Sequence, residues 1–137
     1  MIEIIIAVDG FSSTGKSTLA SKLAEHYNFY YLNSGLMYRI ITHFALNNGF
    51  IIKDNVKESL LINNLNNLNF DWMIDKKGNK SLSFEGKIFG EEMYSFEISD
   101  IVSSLAKLKS VRSYLFRQQK SLVIKKSIVV EGRDIGT

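Results

Sequence analysis

Near the start of the chain, Gly10-Phe11-Ser12-Ser13-Thr14-Gly15-Lys16-Ser17 fits the pattern G-x-x-x-x-G-K-[ST], whose residue types suit the cradling of a polyphosphate. Gly10 and Gly15 permit backbone angles and a close approach that a side chain would block. Lys16 places an ammonium on the β- and γ-phosphates, and the Ser17 hydroxyl is a ligand for Mg²⁺. The phosphate-binding run expected on this basis is Gly10, Phe11, Ser12, Ser13, Thr14, Gly15, Lys16, Ser17 and Thr18. Asp9, just before it, either joins the metal shell through water or simply caps the loop. Arginine is scarce: among 17 Lys and Arg residues only Arg39, Arg112, Arg117 and Arg133 are Arg. Because Arg grips phosphate and planar polar groups with a bidentate fork that Lys cannot reproduce, each of these positions matters individually.

A phosphate loop needs a strand before it and a helix after it, so that backbone N–H groups and the positive end of the helix dipole converge on the ligand. Residues 2–8 form an apolar run broken only by Glu3 and rich in β-branched side chains, the pattern of a parallel strand buried on both faces. Ser17 to Tyr27 carries Leu19, Leu23 and Tyr27 at four-residue steps with Ala20 and Ala24 beside them, which predicts a helix opening directly out of the loop.

Phe29 to Leu32 reads as a second strand and Asn33-Ser34-Gly35 as a turn, with Ser34 capping a helix that stops at Gly49. Leu36, Met37, Ile40, Ile41 and Phe44 form the apolar face of that helix, and Arg39 falls on the opposite side. Arg39 is therefore either a ligand-edge residue or part of a solvated helix face. Asp54 is expected to cap a helix running to about Asn66. Alternation through Leu68, Phe70, Trp72 and Ile74, a polar turn at 75–79, and then Leu82 and Phe84 predict an antiparallel hairpin, with a further strand near Lys87 to Phe89. Ile98, Ile101, Val102 and Leu105 mark the buried stripe of the next helix, leaving Ser103 on its polar side. Ser110 is expected to cap another, in which Val111, Leu115 and Leu122 are buried. Ile128-Val129-Val130 is a third apolar strand running into Gly132-Arg133-Asp134, either a ligand-edge pair or an ordinary turn.

The composition bounds the rest. With 137 residues, 45% of them hydrophobic, the chain can bury one core. It has no Cys and two separated histidines, His26 and His43, which argues against disulfides and thiolate metal centres. The net charge of +3 is spread in small lysine groups rather than a stripe interleaved with aromatics, favouring a small anionic ligand over nucleic acid. No apolar stretch approaches the length of a membrane span and no basic region precedes the first apolar run, so a cytoplasmic protein without membrane contact is expected. No D-x-x-G follows the third strand and N-K-x-D is absent, which disfavours a GTPase switch.

Asp9-Gly10 leading into the phosphate loop, Asn33-Ser34-Gly35-Leu36-Met37-Tyr38-Arg39, Val111-Arg112 with Gln119, and Gly132-Arg133-Asp134-Ile135-Gly136-Thr137 together resemble the bacterial cytidylate kinase family. The resemblance runs along the whole chain and covers the family's N-terminal portion, without its arginine-bearing lid and C-terminal part. It implies an α/β fold of the P-loop nucleoside monophosphate kinase type: a parallel sheet with helices on both faces, incomplete at the C-terminus. The implied core is 1–53 and 107–137, with an inserted antiparallel β/α monophosphate-binding subdomain at about 54–106.

The same resemblance implies transfer of the ATP γ-phosphoryl group to CMP or dCMP with Mg²⁺, Lys16 and Ser17 serving ATP. Arg39 and Arg133 would hold the acceptor phosphate and, with Lys16, form the catalytic set, while Ser34, Ser103, Arg112 and Asp134 would read cytosine and its sugar. It names no protein partner. Tyr94 stands where the family usually has an arginine. Without a lid, the expectation is a nucleotide-binding core with little or no turnover of its own. The alternatives are a non-catalytic nucleotide-binding fragment or a kinase for another small acceptor.

Overall fold

The computed structural model describes residues 3–9 and 14–132, with residue 9 and residues 14–18 described by their backbone. Strand β1 (Ile5–Asp9) precedes helix α1 (Thr14–Tyr27), and β2 (Tyr30–Asn33) runs without a break into α2 (Ser34–Asn47). A short hairpin, β3 (Ile51–Ile52) and β4 (Asn55–Val56), leads to α3 (Glu58–Leu65). The meander β5 (Phe70–Ile74), β6 (Lys80–Phe84) and β7 (Lys87–Ile88) follows. Next come a 3₁₀ turn at Glu91–Tyr94, α4 (Phe96–Ala106), α5 (Lys109–Val123) and finally β8 (Ile128–Gly132).

The principal sheet is parallel with strand order β1-β8-β2, so among the described residues the strand latest in sequence is the central one. Alternation along β8 explains why helices occupy both faces. Val129 packs with Ala20 and Ala24 of α1 on one side, while Ile128 and Val130 join the core formed with α2, α4 and α5 on the other. The expected α/β architecture is therefore present, with one correction at its edge. β1 is not buried on both faces: it pairs only with β8 among the described residues, and Ile5 is 59% exposed. Helix α1, present as expected, faces the sheet with its small residues. Ala20 and Ala24 bury, whereas Leu19 and Tyr27 are exposed, because small side chains let the helix backbone lie close to the sheet.

Three expected caps belong to other residues. Asn33, in extended conformation at the end of β2, accepts a hydrogen bond from the Leu36 N–H (3.3 Å), so Asn33 rather than Ser34 caps α2. Ser34 is already the first helical residue. Asp54 caps nothing: Lys53 and Asp54 have φ values of 50° and 64°, the left-handed pair that turns the two-residue hairpin β3–β4, and α3 begins only at Glu58. Ser110 lies inside α5 and donates to Glu58 Oε2, tying the first turns of α5 and α3 together.

The meander matches expectation, and its turn is ordered by Asp75, whose Oδ1 accepts from the N–H groups of Lys77 and Asn79 (both 2.9 Å). It packs on α5 through polar bonds as well as apolar contact. Trp72 Nε1 donates to the Leu122 carbonyl (2.9 Å), the Phe70 N–H donates to Gln118 Oε1 (2.9 Å), and the Tyr114 hydroxyl donates to the Leu68 carbonyl (2.7 Å). Trp72 is thus a packing residue with a satisfied indole.

Candidate functional site

All three parallel strands end at one edge. The register pairs Asp9 with Gly132 and Asn33 with Glu131, so the ends of β1, β8 and β2 and the start of α2 lie side by side. This carboxyl edge is where an open α/β sheet binds its ligands. The backbone gives the phosphate motif its required context, with β1 ending at Asp9 and Gly15, Lys16, Ser17 and Thr18 in the first turns of α1, one residue after Thr14. Gly10, Phe11, Ser12 and Ser13 lie outside the described residues, as do Arg133 and Asp134.

Arg39 is not a solvated side chain. Its Nη1 donates to the Met93 carbonyl (3.3 Å) and to Ser99 Oγ (2.8 Å), and its Cζ lies 4.4 Å from the centroid of the Tyr94 ring. Arg39 therefore bridges α2 to the 3₁₀ turn and to α4. Ser103 is exposed on α4 one turn beyond Ser99, hence on the same helix face. Arg112, exposed near the start of α5, donates through Nη1 to the carbonyls of Ala106 (3.1 Å) and Lys107 (2.8 Å) and so closes the C-terminal end of α4. Ser34 is half-buried at the start of α2. Helix α4 is thus the common support: it holds Ser103 directly, Arg39 through Ser99, and Arg112 through its last carbonyls.

Glu131, Tyr31, Asn33 and Ser99 were given no site role from the sequence. Glu131 is only 8% exposed at the end of β8, and the Tyr31 hydroxyl donates to its Oε1 across the β2–β8 pair. Burial, followed by that hydrogen bond and the charge of Glu131, holds the Tyr31 phenol well above its ordinary range. Burial likewise raises Tyr94, with Glu131 adding to the shift and Arg39 opposing it. Asn33 and Ser99 complete the group. A carboxylate closing an apolar strand was a usable signal for Glu131. Ser99, one of several serines on its helix, offered none.

The buried phenols predict a pH dependence. Unfolded tyrosine releases its proton near pH 10, whereas Tyr31 and Tyr114 retain theirs to higher pH in the fold, both chiefly through burial. Their contribution to stability is thus complete below about pH 10 and is lost as pH rises from there towards the folded values. Thermal melts between about pH 9 and 11 are expected to show a falling midpoint, with a shallower slope in Tyr114→Phe. Equal slopes in variant and parent would contradict it.

Residues 6–137 match the family profile described as cytidylate kinase. The chain belongs to the cytidylate kinase family. Among curated cytidylate kinases, it is 41% identical to that of Flavobacterium psychrophilum, covering all of this chain and 61% of the relative. It is 39% identical to the Flavobacterium johnsoniae protein and 33% identical to the Clostridioides difficile protein, each match covering all of this chain and 60% of the relative. The chain therefore spans about 60% of the length of the cytidylate kinases it matches.

Proposed function

We propose that this chain is the nucleotide-binding core of an ATP-dependent kinase that phosphorylates CMP and dCMP. The observation that carries the reading is the shared carboxyl edge of β1, β8 and β2, at which the phosphate-loop helix and the Arg39-bearing helix emerge together in a chain of this family.

Lys16 and the N–H groups of the phosphate loop bind the ATP phosphates, with Gly10 to Thr18 as the cradle. Arg39 and Arg133 bind the acceptor phosphate. Ser34, Ser103, Arg112 and Asp134 surround cytosine and its sugar, and the insert at 54–106 forms the acceptor side of the site. Support for that division comes from the insert itself, which contributes Met93, Tyr94 and Ser99 to the surroundings of Arg39.

The acceptor phosphate is already an anionic nucleophile, so the residues need only align it with the γ-phosphorus and offset the gathering charge; a general base is not required. The Ser17 hydroxyl, with Asp9 through water, supplies the hard oxygen donors that suit Mg²⁺. Among the described residues no cluster of His, Cys, Asp and Glu forms a larger metal site. Held at Ser17, Mg²⁺ would supply positive charge to offset that of the phosphates. Among the described residues, no helix is long and apolar enough to cross a membrane.

Calorimetric titration with CMP, dCMP and UMP, alongside ADP formation from Mg-ATP with each acceptor and a blank lacking acceptor, tests this reading. CMP and dCMP are expected to bind at least about tenfold more tightly than UMP, the scale of one well-made polar contact to the base. Turnover is expected to be weak or absent, and any ADP above the blank is expected with those two acceptors and not with UMP. Equal affinity for UMP, or no nucleotide binding by a chain that circular dichroism shows to be folded, would overturn it.

A further inference from the structure

The partners of Arg39 have a property that its proposed role does not by itself require. One is a backbone carbonyl, one a hydroxyl and one an aromatic face, and none carries a negative charge. A carboxylate beside Arg39 would neutralise it, and an incoming phosphate would have to compete for the same donors. A ring instead draws no hydrogen bond from the guanidinium, so with Nη1 given to Met93 and Ser99 the donors on Nη2 and Nε are left for an oxyanion.

Tyr94 is built to hold still. Its predecessor Met93 is 1% exposed and fixes the 3₁₀ turn in the core, while its successor Ser95 caps α4 by accepting the Ile98 N–H (3.3 Å). On the other side, Arg39 is flanked on α2 by the fully buried Met37, Ile40 and Ile41. Tyr94 itself is 50% exposed, so its ring lies at the surface rather than filling the core. Its phenol, raised by burial, stays neutral and presents an uncharged π face to the cation.

We propose that Tyr94 is a positioning residue for the acceptor-phosphate site: its ring, centred 4.4 Å from Arg39 Cζ, holds that side chain towards an incoming phosphomonoester without neutralising it. The inference rests on the proposed function, in which Arg39 binds the phosphate of CMP. The ring is the working part, and the hydroxyl is not.

Titrations of CMP and of cytidine, which lacks the phosphate, into the unaltered chain, Tyr94→Phe and Tyr94→Leu separate the possibilities. Tyr94→Leu is expected to weaken CMP binding by roughly threefold to fivefold, the scale of a cation–π contact at a half-exposed site, and to leave cytidine binding unchanged. Tyr94→Phe keeps the ring and is expected to retain CMP affinity within about twofold. In an Arg39→Met background, Tyr94→Leu is expected to have no further effect.

The proposal fails if Tyr94→Phe behaves like Tyr94→Leu, if Tyr94→Leu matches the unaltered chain, if cytidine weakens as much as CMP, or if the effect persists without Arg39. Thermal melts verify folding of each variant, and Tyr94→Gln replaces Tyr94→Leu should the latter not fold. Absence of CMP binding by the unaltered, folded chain would remove the functional reading itself and this inference with it, an outcome distinct from the other four.

Discussion

Arg39→Met is expected to weaken CMP binding by about tenfold to a hundredfold. Hydrogen bonds to a charged partner contribute about 1.5–3 kcal/mol, and about 1.4 kcal/mol is a factor of ten in affinity. Methionine keeps the unbranched stem along α2 and removes only the head, so the loss falls on the ligand rather than on packing. The fold should suffer modestly. Arg39 also anchors the Met93 carbonyl and Ser99 Oγ, and loss of those bonds is expected to cost about 1 kcal/mol, visible as a small drop in the melting midpoint. Arg39→Lys is expected to recover only part of the affinity, since an ammonium cannot form the planar fork. Calorimetry with CMP checks the series. Affinity within twofold of the parent in Arg39→Met would remove Arg39 from the phosphate site.

The largest expected effect on stability is at Leu32. It is fully buried on β2, opposite Val130 of the central strand, in the core that contains Met37, Ile40 and Ile41 of α2. Truncation to Ala loses transfer free energy and leaves a cavity, together about 2–5 kcal/mol. A domain of ordinary stability has about 5–15 kcal/mol in all, so Leu32→Ala is expected to remove a large fraction of it. Given a urea dependence of about 2 kcal/mol per molar, the unfolding midpoint should fall by roughly 1–2.5 M. Ile5→Ala is the internal comparison, because Ile5 is largely exposed at the sheet edge and its loss should cost about 0.5 kcal/mol or less. Similar midpoints for the two variants would contradict the burial pattern.

These two residues also mark how far the sequence could be read. The apolar runs of β2 and β8 and the helical spacing of α2 identify Leu32, Ile40 and Val130 as core because burial follows periodicity, which is local. The phosphate loop is legible for the same reason: its function lies in consecutive residues. The surroundings of Arg39 are not local. Met93 and Ser99 are 54 and 60 residues away in sequence, and no spacing rule couples them to α2.

The misplaced caps have a shared physical cause. Ser34, Asp54 and Ser110 are all residue types that favour helix starts, yet a residue immediately before a helix competes with its neighbours, and the backbone conformation decides. Asn33 is the extended residue at the end of β2, Lys53 and Asp54 are drawn into a left-handed turn, and Leu108 takes the extended position before α5. The expectation of a doubly buried β1 failed for a different reason. Hydrophobic content reports what a strand could bury, whereas exposure depends on which strands lie beside it.

The central place of β8 has a kinetic consequence. Neither β1 nor β2 pairs with the other; both wait for a strand whose partner residues, such as Ile5 and Ile128, are 123 positions apart. At about 5–20 residues per second, synthesis leaves β1 without its partner for roughly 6–25 s. During that interval Ile4 to Val8 is an uncharged, β-prone segment on a nascent chain, the kind of stretch that other chains can capture. Contacts this distant in sequence close slowly, which makes the yield of the fold sensitive to whatever shields β1 until β8 arrives.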